Sequence, residues 1–350
     1  MQFLLTNQYV INMGHRRQSA PRHGSLAYLP RKRARYGKGR VRNWLDYEGK
    51  PKFLGFAGFK AGMTHIAYIE DQETSPFFGK ELVKAVTIVE APALVLFGMK
   101  VYLRDEYGMN PVGEILSPTL KPELGRKIQL PNPETYNFEE KLKELEGKIV
   151  DGVEIRGLFH TQPYNTSVPR IKPDIIEIKV SGGKSKEQFE YVRDLLGQEL
   201  RVRDCIEEGS LIDSISVSKG KGFQGAVKKF GIKLMSRKNR KGKRRVGCIG
   251  PWKPPKLLYT IARSGQMGYH QRVEYHKRVV KISEDGDEVN PKGGIIRYGL
   301  IKSDYLLLLG SVPGSKKRLI RLRETMRPKA HHAVSVPEIT YISKLSQQGK

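Results

Sequence analysis

The chain is 350 residues long and carries 63 Lys and Arg against 36 Asp and Glu, a net charge of +27. Its hydrophobic fraction, 38%, lies below the roughly 45–50% of ordinary soluble domains, so a modest core accompanies a large solvated or polyanion-facing surface. Two cysteines, Cys205 and Cys248, lie without CxxC or Cys/His ligand spacing. They read as idle thiols in a reducing compartment, not a disulfide framework or zinc site, and no run reaches the roughly 18–20 apolar residues of a membrane span.

The charge is segregated. Residues 1–45 hold ten Lys and Arg and no acid, whereas residues 46–215 hold 22 basic and 28 acidic residues. Residues 216–283 hold 19 basic residues and a single acid, Glu274, and residues 284–350 hold 12 against seven. Two basic arms are thus joined to near-neutral globular material, and length alone predicts about two domains. A generally alkaline enzyme would spread its lysines.

Taken in order, residues 1–12 lack the basic start and small-residue cleavage site of a signal peptide. Two starts stay open: Met1, or Met13 with the first twelve residues a misread upstream stretch. Residues 15–42 form an extended arm in which Pro21 and Pro30 oppose a helix. From Phe53 the stretch FLGFAGFKAGMTHIAYIED reads as strand, glycine turn, strand, with Gly55, Gly58 and Gly62 placed as at barrel corners. Residues 83–104 give further strands around Pro92 and Gly98. Five prolines between 111 and 133 then predict a loop, followed by a helix capped by Asn137 and running to Lys148. Strand-like EIRGLFHTQP and DIIEIKVSGG and a helix over KEQFEYVRDLLGQ make an α+β elaboration on a β core.

GSLIDSISV, at 209–217, delivers the chain into a basic extension from Lys219 to Lys281 that no apolar face runs through. Such a segment buries too little apolar surface to offset the entropy of ordering it, so it needs a polyanion; neither arm shows the amphipathic stripe of a membrane-surface helix. After it come a turn-rich hairpin (ISEDGDEVNPKGG), apolar strands (IIRYGLIKSDYLLLLGSV), a basic turn with an edge strand (PGSKKRLIRLRE) and a tail without periodicity. The organisation predicted is a basic amino-terminal extension (1–45), β body (46–109), α+β insertion (110–190), β body (191–218), central basic extension (219–283), last body strands (284–326) and tail (327–350).

Gly220, Gly222 and Gly225 satisfy GxGxxG after a strand, but a dinucleotide site needs an acid about 20 residues on, and none occurs before Glu274. Backbone N–H groups of such a turn suit RNA phosphate instead. His15, His23, His270, His276, His331 and His332 have neither HExxH spacing nor a carboxylate partner. Trp252, in CIGPWKPPK, has two readings: it covers a local apolar spot, or it stacks on a base from a stiff proline-flanked tip.

GHRRQSAPRHGSLAYLPRKRA, FAGFKAGMT, KGKGFQGAVKKFG, CIGPW, ARSGQMGYHQRVEYHKRVVKI and VPGSKKRLIRLRE, in this order, resemble the ribosomal protein L3 family in its archaeal and eukaryotic form. Residues 1–12 and the tail after about 330 lie outside the resemblance, and the 110–190 insertion is loosely covered. The resemblance implies a mainly β fold, with a closed, translation-protein-like β-barrel body and long non-globular extensions threading large-subunit ribosomal RNA. It implies a tip near Trp252 approaching the peptidyl-transferase region, a role in early subunit assembly, neighbouring ribosomal proteins as partners, and a cytoplasmic location in the large subunit. It also implies RNA contacts at Gly220–Gly225, Arg244, Arg245, Trp252, Arg263, Gly265, His270 and Arg272. Eukaryotic relatives carry a histidine in the basic run where this chain has Asn239-Arg240-Lys241, so that histidine's role is not carried over.

Together these readings give an RNA-binding scaffold, not an enzyme, without metal, cofactor, small-molecule substrate or membrane. In the arm, Arg16, Arg17, Arg22, Arg31, Lys32 and Arg33 neutralise phosphates beside His15 and His23. In the glycine turn the candidates are Lys219, Gly220, Lys221, Gly222, Gln224, Gly225, Lys228 and Lys229. The basic run supplies Arg237, Lys238, Arg240, Lys241, Lys243, Arg244 and Arg245, giving affinity with little sequence choice. The returning stretch supplies Arg263, Gly265, Tyr269, His270, Arg272, Lys277 and Arg278, with Trp252, Tyr269 and His270 stacking on bases. Two rivals are weighed: an RNA-modifying enzyme with substrate-holding arms, for which no catalytic constellation is found, and a DNA-binding regulator, which lacks a recognition helix or dimerisation heptads.

Overall fold

The structure is a computed structural model that describes residues 22–132, 136–150, 152–327 and 335–346. The expectations on residues 1–12, His15, Arg16, Arg17, His331 and His332 fall outside the described residues. In chain order the strands are β1 (Lys52–Phe53), β2 (Gly55–Ile69), β3 (Glu81–Glu90), β4 (Leu94–Asp105) and β5 (Gly108–Leu116). Helix α1 (Phe138–Glu146), β6 (Val153–His160), β7 (Ile175–Ser181), α2 (Ser185–Asp194), β8 (Glu199–Leu200) and β9 (Leu211–Val217) follow. The chain continues through β10 (Phe223–Gln224), α3 (Ala226–Phe230), β11 (Gly265–Gln266), β12 (Gln271–Ser283), β13 (Tyr305–Leu309), β14 (Leu319–Glu324) and β15 (Ile339–Ile342). It is mainly β, and it divides into a smaller unit of residues 1–34 with 220–270 and a larger unit of residues 35–219 with 271–350.

Two antiparallel sheets build the larger unit. One runs β1-β7-β6-β4-β5, with β8 also on β4; the other runs β14-β9-β12-β13-β3-β2-β15. Strand β14 bonds β9 on one side and β2 on the other, so this second path returns on itself. LIRLRE is therefore not the edge strand its charges predict. Leu319, Ile320 and Leu322 are buried, and the alternating arginines fooled a reading based on polarity alone.

The glycine turn predicted within residues 53–71 is absent. β2 is one long strand whose register shifts between Lys60 and Gly62, a bulge where a turn was expected. Its glycines admit close neighbours: a Cβ on Gly55 would meet the Leu322 carbonyl oxygen at 2.6 Å, and one on Gly58 the Glu90 carbonyl oxygen at 2.7 Å. Pro111 lies in β5, not in a loop, on the edge side where no ladder donor is missed. Asn137 makes no side-chain cap for α1, although Glu139 and Glu140 occupy the first turn as the helix dipole favours. Residues 284–304 form turns, a short 3-10 helix (Gly286–Glu288) and a bridge between Ile295 and Gly299 in place of the expected hairpin and first apolar strand. The tail gains β15, which pairs with β2 from Ile339–Tyr68 to Ile342–Ile66.

Phe53, Phe56, Phe59, Leu94, Leu96, Met99 and Phe159 fill one core shared by both sheets; Phe53 meets Phe159 edge to face at 4.9 Å. Each such side chain taken from water contributes roughly 1.5–3 kcal/mol. Buried polar groups pin the loops. Glu90 accepts from the Tyr298 hydroxyl, from the Lys302 backbone N–H at 2.7 Å and from Ser303 at 3.2 Å, and burial pushes its carboxyl above the usual range. Asp213, fully buried on β9, accepts from Arg323 on β14 at 3.0 and 3.2 Å and from the His276 N–H on β12 at 3.2 Å. One carboxylate thus ties together the strands that lead the chain out to, and back from, residues 220–270.

Candidate RNA-binding unit

The smaller unit is where the sequence concentrates cations: residues 1–34 and 220–270 hold 20 Lys and Arg and no Asp or Glu. No cation in it can find a carboxylate within it. Every ion pair among the described residues lies instead in the larger unit, from Lys52–Glu324 to Arg323–Asp213.

Few hydrogen bonds shape it. β10 and β11 pair Phe223 with Gln266 and Gln224 with Gly265, and this ladder is extended by the Lys221 and Met267 N–H groups, each donating at 2.9 Å. Gln224 donates its side-chain amide to the Lys221 carbonyl. The GxGxxG glycines thus form a strand entry, and Gly225 starts the short α3 without a side-chain cap. α3 ends at Gly231, whose φ of +67° permits the left-handed C-cap that stops the helix.

The amino-terminal arm is held against this core of the unit. Ala34 N–H donates to the Tyr269 carbonyl at 2.8 Å, and buried His270 places Nδ1 2.7 Å from the Lys32 carbonyl oxygen. Arg31 donates to the Lys229 carbonyl at 2.9 Å and lies 4.4 Å from the Phe230 ring centroid; its Nε is buried without a partner. Burial and the nearby Arg31 charge hold the Lys229 amine below its ordinary value. Arg22 donates to the Thr260 carbonyl. Arg31, Lys229 and His270 therefore also build the unit's own structure. A pocket of about 460 Å³ opens beside them, lined by Arg31, Phe230, Leu258, Tyr259 and Arg263 among others.

The remaining cations face solvent. His23, Lys32, Arg33, Lys221, Lys228 and Arg263 are exposed, as are Arg237, Lys238, Arg240, Lys241, Lys243, Arg244 and Arg245. A compact turn presents that last run: Met235 N–H donates to the Lys243 carbonyl at 3.0 Å, and the Asn239 amide donates to the Gly242 carbonyl at 3.2 Å. Trp252 is 92% exposed, so it covers no apolar spot among the described residues. Sequence reasoning missed Tyr259, 78% exposed at the pocket mouth, and the exposed Lys233, Lys253 and Lys256; an aromatic in a segment without apolar periodicity was the available signal. Exposed rings beside guanidinium groups can stack bases while the cations take phosphates.

Four predicted site residues lie in the larger unit. Lys219 is exposed at the end of β9. Arg272, Lys277 and Arg278 belong to β12, although charge alone had grouped them with the extension. Lys277 pairs with Glu274 at 2.9 Å. Arg278 is buried and donates to Asp71 at 2.7 Å and to the Ser335 carbonyl at 2.8 Å, which fastens the tail to the sheet. Cys205 is half-buried and Cys248 exposed, both free, and burial pushes the Cys205 thiol far up. Among the described residues no group of three or more His, Cys, Asp or Glu could hold a metal ion, and no helix is long and apolar enough to cross a membrane.

A family defined as ribosomal protein L3 matches residues 13–349. The chain belongs to the ribosomal protein L3 family. The L3 match runs through the tail, beyond residue 330 where the motif resemblance stops. Large ribosomal subunit protein uL3 of Methanocaldococcus jannaschii is 45% identical over 333 residues, covering 94% of this chain and 98% of its own. The protein of that name from Methanocorpusculum labreanum is 41% identical over 332 residues, with the same coverages, and that from Caldivirga maquilingensis is 43% identical over 346 residues, covering 94% and 97%. L3 is a family of ribosomal proteins, not of enzymes.

Proposed function

We propose that this chain is a structural constituent of the large ribosomal subunit, cytoplasmic with it, and that it binds large-subunit ribosomal RNA through residues 1–34 and 220–270. The observation that carries this is the unit of 20 cations without one acid, its basic run and Trp252 turned to solvent, in a chain of the L3 family. Affinity comes from the phosphates that the run at 237–245 neutralises. Selectivity comes from RNA shape and from stacking by Trp252, Tyr259 and Tyr269. The tip around Trp252 approaches the peptidyl-transferase region, and the chain joins early in subunit assembly beside neighbouring ribosomal proteins. The ring of β14, β9, β12, β13, β3 and β2 is a closed barrel of the translation-protein kind, and residues 110–190 are its α+β insertion.

Sedimentation of cell extract through a gradient, before and after a high-salt wash, tests this reading. Co-migration with the large subunit that survives the wash is expected, because segments threaded into RNA resist salt that strips surface-bound factors. Recovery in the light fractions after the wash would overturn it.

A further inference from the structure

The larger unit contains a cleft of about 420 Å³ walled by residues 36–44 and by residues of β4 to β7 and β14, a volume in the range of ligand sites. Five cations line it, Lys38, Arg40, Arg42, Arg156 and Arg321, against one acid, Glu177. That acid is already engaged: Arg156 donates to Glu177 at 3.1 Å and to Glu154 at 2.7 Å. Asp174, the other carboxylate that acts on Arg321, pairs with Arg170 at 3.0 Å. The Arg321 side chain makes no hydrogen bond or ion pair among the described residues, and its Nε is buried without a partner.

Burial holds the Arg321 guanidinium down to about 10. The same cause lowers the Lys38 amine, with Arg321 adding to it; among the described residues Lys38 bonds the Ile175 carbonyl, at 3.0 Å. Arg40 is presented from a fixed backbone, because the Gln271 side chain bonds both its N–H, at 3.2 Å, and its carbonyl, at 2.7 Å. A partly buried guanidinium whose Nε has no partner is costly, and the two carboxylates that act on it, Glu177 and Asp174, are bonded to other arginines.

We propose that this cleft binds one phosphate group of an RNA backbone, with Arg321 and Lys38 at its floor and exposed Arg40 and Arg42 at its rim. The planar fork of a guanidinium matches two phosphate oxygens, and the volume leaves room for the adjoining sugars. The proposal rests on the RNA-binding reading above, and it adds Arg321, from a strand of the body, to the cations of the amino-terminal arm.

The test compares full-length wild type, Arg321→Met and Arg321→Lys in two arms. In the first, thermal unfolding is followed in inorganic phosphate and in chloride of equal ionic strength. Phosphate raises the wild-type transition but not that of Arg321→Met, which in chloride melts no lower than wild type because its stem still packs and the unmatched charge is gone. In the second, binding to large-subunit ribosomal RNA is measured across salt concentration. Arg321→Met binds about tenfold more weakly, with a salt slope shallower by about one, and Arg321→Lys falls between. A phosphate shift kept by Arg321→Met, or a lowered transition in chloride, overturns the site in favour of a packing role. A lost phosphate shift with unchanged RNA binding overturns the RNA assignment, leaving a free-phosphate site. Failure of wild type to bind the RNA at all overturns the function proposed above together with the RNA end of this site, and the RNA-free first arm tells the two failures apart.

Discussion

Arg323 and Arg245 carry the same group in opposite surroundings. Arg323 is buried and donates to fully buried Asp213 at 3.0 and 3.2 Å; Arg245 is exposed in a unit that contains no carboxylate at all. Arg323 and Arg278, buried in the larger unit, are answered by acids far along the chain, Asp213 and Asp71, so their charge serves stability. Cations of the smaller unit are answered by no acid in their own unit, so their charge is available to a polyanion. The difference teaches that positive charge in this chain has two uses, and that a partner in the fold, not the residue type, separates them.

The comparison breaks first at Asp213. Asp213→Ala leaves Arg323 buried and unpaired and removes the acceptor shared by β9, β12 and β14, so urea unfolding should show a loss of about 3–5 kcal/mol, with the salt slope of RNA binding unchanged. A loss below about 1 kcal/mol would mean that the larger unit does not depend on matched charge. Asp71 sharpens the same side. The Arg278 guanidinium holds its carboxyl at about 2, below the ordinary 3.8. A carboxyl depressed by folding contributes stability that is full above about 3.8 and is lost as pH falls through about 2. Asp71→Asn should therefore flatten that part of the stability-against-pH curve, read as the thermal midpoint between pH 4 and pH 2; an unchanged curve would place the acid sensitivity elsewhere.

Charge segregation made the smaller unit legible in the sequence, because a run with 19 cations and one acid admits no self-contained fold. The strands of the body were legible from β-forming runs and glycines. Pairing was not. LIRLRE looks like an edge until Asp213, more than a hundred residues earlier, takes Arg323 inside. Arg278 reads from charge as part of the basic extension, and its bonds to Asp71 and Ser335 depend on residues far along the chain. Arg321 was invisible for the converse reason: one of two alternating arginines in a strand gives no sign that its surroundings leave it unmatched. The β2 bulge and the pairing of β15 likewise depend on neighbours far along the chain.

The smallest stability effect expected is at Trp252. With 92% of the residue exposed, Trp252→Ala should change the unfolding free energy by no more than about 0.5 kcal/mol, while large-subunit maturation or peptide-bond formation falls. Equal losses in both would return Trp252 to local packing.

The most direct measurement is the salt dependence of binding to large-subunit ribosomal RNA for wild type and for a full-length variant with the seven cations between 237 and 245 changed to glutamine. If these side chains face RNA phosphate, the logarithmic slope becomes shallower by about 5 to 6 while the thermal midpoint stays where it was. Parallel slopes, or a midpoint that falls with the charge, would contradict the division of labour between the two units.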